Sequence, residues 1–246
     1  MDIATFNTAQ NRASLPTIMA AILDAFGARV VVASSLSIED QVLTHYWVKA
    51  CQVKGVDPAI FVLDTGRLNP ETYTVLVETE RQYGFRYRVY SPDTEAVEGL
   101  VRNHGINGFY HSVDARKQCC YVRKVQPLQR ALDPYDAWVT GLRRLQSPDR
   151  ANLPLAEFDS GNSITKFNPL IQWTEAQLLA VVDAENIPMN ELYSQGYTSI
   201  GCAPCTRAIQ PGESNRSGRW WWEASTKECG LHVVDGKLIR KDQEGH

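Results

Sequence analysis

Val30-Val31-Val32-Ala33-Ser34-Ser35-Leu36-Ser37-Ile38-Glu39-Asp40-Gln41-Val42-Leu43 is the stretch on which the reading of the fold turns. Val30 to Ala33 form a short β-branched run without a polar face, the pattern of a strand buried on both sides of a parallel sheet. Ser34 to Ser37 follow as a hydroxyl-rich turn, and the apolar positions Ile38, Val42 and Leu43 then recur at helical spacing. A strand feeding a helix through such a turn points the first helical amides at whatever binds there, which suits a nucleotide or phosphate group. Serines are also ordinary helix caps, and the turn alone is compatible with that plainer role.

The same unit recurs along the chain. Ala59-Ile60-Phe61-Val62-Leu63 reads as a second buried strand, running into Asp64-Thr65-Gly66-Arg67 before a helix that begins near Pro70. Tyr87 to Tyr90 is a third strand, and Ala137 to Thr140 a fourth that ends at Gly141-Leu142-Arg143-Arg144. Helical segments lie between them. This alternation predicts an α/β fold, an open parallel sheet flanked by helices, with ligands in the crevice at the carboxyl ends of the strands. The polar loops after strands one, two and four then share one edge.

The flanks are less regular. Ser14-Leu15-Pro16 predicts a helix through Phe26, since proline suits a first helical turn. Beyond Pro148 the chain reads as loop through Gly161, then as a strand at Ile164 to Phe167. Thr174 caps a further helix with Gln177 at the capping-box position and Leu178, Leu179, Val181 and Val182 as its apolar face, ended by Ile187-Pro188. From Gly196 onward Gly, Pro, Ser, Arg and Trp predict a loop-rich tail laid over the domain. With no repeat or low-complexity tract, a single domain over 1–246 is expected, comprising a nucleotide-binding core at about 25–195 and a tail at about 196–236.

Composition narrows the partners. The 246 residues suffice for a substantial core, and a formal charge of −3 with a pI near 6.0 gives no global attraction to nucleic acid or to an acidic membrane. Anion binding must therefore be local. No apolar run approaches a membrane span, and Met1-Asp2-Ile3-Ala4-Thr5 lacks the features of a secretory signal, so a cytoplasmic protein is expected. In that reducing setting the six cysteines suit metal ligands, catalysts or buried apolar residues better than disulfides.

Cys119 and Cys120 are adjacent and lie amid Arg116, Lys117, Arg123 and Lys124, while Cys202 and Cys205 form a C-x-x-C pair. Four thiolates from two distant segments can hold a metal centre, and nearby positive charge favours the thiolate. The C-x-x-C pair alone fits zinc, an iron–sulfur cluster or a redox dithiol. Side chains of adjacent cysteines diverge, so an iron–sulfur cluster, which offers them separate metal atoms, suits them better than one zinc ion. The plainer alternative is a buried, inert pair, the reading given to Cys51. Cys229 differs, in a hydrophilic segment with Lys227 and His232 available to favour a thiolate nucleophile, the plainer alternative being a surface thiol or a spare ligand.

Cys119-Cys120-x-x-Arg123-Lys124-x-x-Pro127-Leu128, Gly201-Cys202-x-Pro204-Cys205-Thr206-Arg207, Pro211-Gly212-Glu213-x-x-Arg216-x-Gly218-Arg219-Trp220-Trp221-Trp222-Glu223 and Lys227-Glu228-Cys229-Gly230-Leu231-His232 together resemble the assimilatory adenylylsulfate (APS) reductases. Leu63-Asp64-Thr65-Gly66-Arg67-Leu68-x-Pro70-Glu71-Thr72-Tyr73 and Gly141-Leu142-Arg143-Arg144-x-Gln146-Ser147 match the same family, so the likeness runs from about Ser34 to His232. The tandem and C-x-x-C pairs set this branch apart from the cluster-free phosphoadenylylsulfate (PAPS) reductases, which share the terminal Glu-Cys-Gly-Leu-His.

The resemblance implies an adenine-nucleotide α-hydrolase-like fold and thioredoxin-dependent reduction of APS to sulfite and AMP. It implies that Cys229 is the nucleophile, passing through an S-sulfocysteine, and that one [4Fe–4S] cluster sits on Cys119, Cys120, Cys202 and Cys205. It further implies that Lys124 links cluster to substrate, that Arg216, Arg219 and His232 bind the phosphosulfate, and that Ser35, Ser37, Leu63, Gly141 and Arg150 take the adenosine half. The family's first loop usually reads S-F-S-G-A-E-D, whereas Ser35-Leu36-Ser37-Ile38-Glu39-Asp40 is shorter and lacks the glycine. PAPS reduction or dual specificity therefore stays open. An ATP pyrophosphatase relative lacks support, because the S-G-G-x-D-S loop is missing, and a non-catalytic nucleotide-binding iron–sulfur sensor is the reading from another class. Homo-oligomerisation is left open.

Overall fold

The computed structural model describes residues 1–147 and 150–223. Its strands are β1 (Val30–Ser34), β2 (Ile60–Leu63), β3 (Arg88–Tyr90), β4 (Ala137–Val139), β5 (Ala156–Asp159) and β6 (Ile164–Phe167). The helices are α1 (Ile3–Gln10), α2 (Leu15–Phe26), α3 (Ile38–Lys54), α4 (Pro70–Tyr83), α5 (Thr94–His104), α6 (Val113–Cys120), α7 (Gln126–Leu132) and α8 (Glu175–Glu185). The strands make one sheet in the order β3-β2-β1-β4-β6-β5, in which every neighbouring pair is parallel except β5 with β6. The sheet grows outward from β1 to β3 and then jumps back to β4. The crevice between the carboxyl ends of β1 and β4 is thus a topological switch point, where open α/β sheets bind ligands.

The apolar run of β1 is explained by its two faces. Val30 and Val32 enter the larger core with Met19 and Ile22 of α2, Val42 and Trp47 of α3, and Leu178 of α8. Val31 points the other way, toward Leu128 and Leu132 of α7 and Trp138 of β4. Full burial of a valine stabilises by roughly 1.5–3 kcal/mol, so a polar residue at any of these positions would be costly. Local signals set the helix ends. Ser14 caps α2, accepting from Thr17 N, and Thr174 and Gln177 form the expected capping box of α8, which ends at Asn186 in the left-handed region. Its buried face is Leu178 and Val182, while Leu179 is 40% exposed.

Three elements differ from expectation or add to it. The stretch expected as loop before Gly161 contains β5, an antiparallel edge strand closed onto β6 by a turn in which Asn162 Nδ2 donates to Asp159 Oδ2 (2.8 Å). α1 precedes α2, capped by Asp2, and its Asn7 side chain both donates to and accepts from the backbone of Ala156 (2.9 and 2.8 Å). Between α6 and α7 the helix passes through a π-helical turn, Tyr121–Val125, directly after the tandem cysteines, an irregularity often found at functional sites. Among the described residues, no helix is long and apolar enough to cross a membrane.

Candidate active site

At the switch point, the loop after β1 makes its turn without glycine. Leu36 adopts φ +62°, a left-handed conformation that costs a non-glycine residue roughly 1–2 kcal/mol, and burial of its side chain to 1% exposure offsets this. Three amides of the loop are engaged within the protein. Ser35 N and Ser35 Oγ both donate to Asp40 Oδ2 (2.7 and 2.6 Å), Leu36 N donates to Ser34 Oγ (3.1 Å), and Ile38 N to the Tyr193 hydroxyl (3.0 Å). In place of an open cradle of free amides, the loop is a closed scaffold organised by a carboxyl group. Burial pushes Asp40 up to about 6; its Ser35 hydrogen bonds oppose this, the charge of Glu39 adds to it, and the Ser37 hydrogen bond opposes it.

The loop after β4 locks onto that scaffold. A methyl group on Gly141 would stand 2.3 Å from Asp40 Oδ1 and 2.9 Å from Glu39 Cβ, so the close approach requires glycine. Glu39 Oε1 accepts from Arg143 Nε and Nη2 (3.0 and 2.8 Å) and from Gln146 Nε2 (2.9 Å), and Arg150 donates to Gln146 Oε1. The structure therefore brings Ser35, Ser37, Gly141 and Arg150 to one edge. Leu63 stands at the carboxyl end of β2, packed against the smaller core of Val31, Phe61 and Leu128. Glu39 and Asp40 were not singled out from the sequence. A pair of acidic residues opening an apolar helix is a signal for them, because charge there must be capped, paired or neutralised.

Cys119, Cys120, Cys202 and Cys205 line a single cleft of about 400 Å³, counted out to open solvent, together with Arg67, Arg116, Arg123, Lys124 and Arg219 and the rings of Phe109 and Trp220. The loop after β2 holds the segment that carries the second cysteine pair. Ala203 N donates to Arg67 O (2.8 Å), Asn69 Nδ2 to Gly201 O (3.3 Å), and the Thr65 hydroxyl meets Cys202 Sγ at 3.2 Å. Arg123, one turn beyond the tandem pair, donates to Thr65 O (2.7 Å). Arg219 is 7% exposed and lies over Trp220; it donates to Ile200 O (3.0 Å), and its packing leaves no room for a side chain at Gly201. Arg216 is half-buried in the turn before it, its carbonyl accepting from Arg219 N (3.0 Å).

Thiol chemistry differs around the cleft. Burial raises Cys202, but Lys124, the Thr65 hydroxyl, Arg219 and Arg123 outweigh it and hold the thiol below its ordinary value. Burial and the neighbouring Cys202 push Cys205 up to about 12. Among the described residues, no group of three or more His, Cys, Asp or Glu side chains could hold a single metal ion. A multi-iron cluster spreads its ligands over separate metal atoms. Four thiols around one cavity, ringed by five cationic side chains that would balance an anionic cluster, fit such a group. Cys51 is buried in α3 and pushed up to about 11 by burial, the inert thiol expected.

Trp220 lines the cleft, and the chain then runs to Glu223, whose carboxylate accepts from Arg116 Nε and Nη2 (2.5 and 3.0 Å). Cys229 and His232 lie outside the described residues. Arg67, Arg116 and Arg123 join the cleft although sequence reasoning gave no role to Arg67 and treated the other two only as nearby charge.

A family model described as the phosphoadenosine phosphosulfate reductase domain matches residues 29–208. A Burkholderia cepacia protein named adenosine 5'-phosphosulfate reductase is 51% identical over 207 residues, 84% of this chain and 81% of that protein. One of the same name from Agrobacterium fabrum is 44% identical over 243 residues, covering 95% and 92%. Among solved structures, the phosphoadenylyl-sulfate reductase of Candida auris matches with a TM-score of 0.69 at 25% identity, over 84% of this chain and 96% of that one. The Candida glabrata FMN adenylyltransferase shares the fold alone, with a TM-score of 0.57 at 13% identity over 94% of this chain and 84% of that one. On sequence and on architecture alike, this chain belongs to the APS/PAPS reductase family, the family of the phosphoadenosine phosphosulfate reductase domain.

Proposed function

We propose that this chain reduces APS to sulfite and AMP with thioredoxin as reductant. The observation that carries the reading is the placement of the four-cysteine cationic cleft beside the switch-point edge, with the β2 loop touching Cys202 through Thr65. The names of the relatives support APS as the substrate.

The adenosine half would lie against Ser35, Ser37, Leu63, Gly141 and Arg150. Arg216, Arg219 and His232 would bind the phosphosulfate, with arginine supplying paired donors to its oxygens. Lys124 would stand between cysteine centre and sulfate. The Cys229 thiolate attacks the APS sulfur, and the bond from sulfur to the bridging oxygen breaks, with AMP leaving as the phosphate anion. A thioredoxin thiolate then attacks Cys229 Sγ, sulfite departs with the sulfur–sulfur bonding pair, and the second thioredoxin thiol resolves the mixed disulfide to return Cys229 as a thiol. Two electrons pass from the dithiol to sulfur. A [4Fe–4S] cluster held by Cys119, Cys120, Cys202 and Cys205 would supply a fixed charge and a polarisable field beside the sulfate.

Sulfite release from APS and from PAPS, each with reduced thioredoxin, tests the reading together with Cys229→Ser. The expected result is a higher kcat/KM for APS and loss of turnover in Cys229→Ser with visible absorbance retained. A clear preference for PAPS would overturn the substrate, and full activity of Cys229→Ser would overturn the nucleophile.

A further inference from the structure

Arg116 and Glu223 are 107 residues apart in sequence and almost fully buried, their side chains 4% and 5% exposed. The pair is bidentate, and the Arg116 guanidinium also lies 4.2 Å over the Trp220 ring. Arg116 belongs to α6 one turn before Cys120, with whose sulfur it also hydrogen-bonds. One guanidinium thus contacts a cleft cysteine, an aromatic ring of the cleft wall and the carboxylate that follows it in the chain.

The position of Glu223 gives this arrangement a consequence for the reaction. Cys229 is six residues further along, and six residues of chain span at most about 20 Å. Wherever Glu223 is held, the reactive thiol is confined to a sphere of that radius. A buried two-point grip fixes the centre of the sphere at the wall of the cysteine cleft. A surface ion pair would not do this, because solvent screening and side-chain freedom leave such contacts worth little.

We propose that Arg116 and Glu223 are a positioning pair for the first chemical step, anchoring the root of the thiol-bearing segment so that Cys229 meets the sulfur of bound APS. The inference rests on the reading of Cys229 as nucleophile. It assigns to Glu223 no contact with substrate; the carboxylate acts through the chain it anchors. Nucleotide recognition at the switch point, built on Glu39, Asp40 and Gly141, should not feel the change.

The test is a single-turnover reaction of the anaerobic holoenzyme with APS in the absence of reductant, following the mass gained at Cys229, in wild type, Glu223→Gln, Arg116→Lys and Cys229→Ser. Glu223→Gln keeps the shape and removes the charge, and Arg116→Lys keeps the charge and removes the fork. Glu223→Gln is expected to form the adduct about tenfold to a hundredfold more slowly than wild type, with Arg116→Lys in between. AMP affinity and visible absorbance should be unchanged in both. A wild-type adduct rate in Glu223→Gln would overturn the proposal, as would parallel loss of visible absorbance in both variants, which would make the pair a support of the cysteine centre alone. An adduct persisting in Cys229→Ser would instead remove the nucleophile assignment beneath it.

Discussion

Gly141→Ala isolates the contact that joins the β1 and β4 loops at the switch-point edge. Its methyl group would sit 2.3 Å from Asp40 Oδ1, where ordinary contact begins at 3.4 Å, so the carboxyl must withdraw by about 1 Å. That carboxyl also holds Ser35 N and Oγ at 2.7 and 2.6 Å, and it is flanked by Glu39, which Arg143 fixes in place. Overpacking costs about 1–3 kcal/mol, and loss of one hydrogen bond to a charged group about 1.5–3 kcal/mol. The total, around 3 kcal/mol allowing for partial relaxation, corresponds to a fall of roughly 6–12 °C in melting temperature for a chain of this size. Gly141 has no positive φ, so the effect is steric and not conformational. Gly99→Ala is the control: in α5 with open space at its Cβ, it should be neutral or stabilising by about 0.5–1 kcal/mol. Thermal melts by circular dichroism and AMP titration calorimetry read the outcome. A Gly141→Ala protein with wild-type melting and wild-type AMP affinity would refute the argument that the two loops form one scaffold.

Further expectations concern the same scaffold and the cysteine centre. Asp40 is raised from 3.8 to about 6 by burial, so the folded protein keeps a proton that the unfolded chain releases. The stability this contributes is complete below about 3.8 and is lost as pH rises through about 6, a swing of roughly 3 kcal/mol. Asp40→Asn should flatten that part of the pH–stability profile measured by urea denaturation, and an unchanged slope would contradict the assignment. Glu39→Met leaves the Arg143 guanidinium buried without its carboxylate and should cost about 3–5 kcal/mol. The double variant with Arg143→Met should cost less than Glu39→Met alone, and strict additivity in a denaturation cycle would show that the pair is not coupled. Anaerobically purified protein should hold about four iron atoms per chain, lost in Cys205→Ser, whereas stoichiometric zinc without iron would remove the cluster from the account.

What the sequence discloses of this fold is what local chemistry encodes. β1 is legible because Val30, Val31 and Val32 are all apolar, the mark of burial on two faces. The ends of α2 and α8 are legible because Ser14 and the Thr174–Gln177 pair supply caps within one turn. β5 is not, since Glu157 is only half-buried and Phe158 is 60% exposed, so this edge strand carries no apolar alternation. Its place is set by β6 and by Asn7, 149 residues away. The four cysteines were grouped by spacing and resemblance, and the structure brings them to one cleft. The state of the Ser34 to Ser37 loop was hidden. A turn of serines looks like a set of free donors, and only the tertiary arrangement shows that Asp40 already takes the Ser35 amide and hydroxyl, and Tyr193 the Ile38 amide. Likewise nothing near Arg116 in sequence announces Glu223.

The central claim is that the Cys229 thiol takes the sulfonate from APS. Anaerobic protein mixed with APS and no reductant, then digested and analysed by mass spectrometry, tests it most directly. The account predicts one equivalent of AMP released and one sulfonate on the peptide containing Cys229, discharged as sulfite when reduced thioredoxin is added. Sulfite formation under thioredoxin without any Cys229 adduct in its absence, or an adduct on a cysteine of the cleft instead, would contradict it.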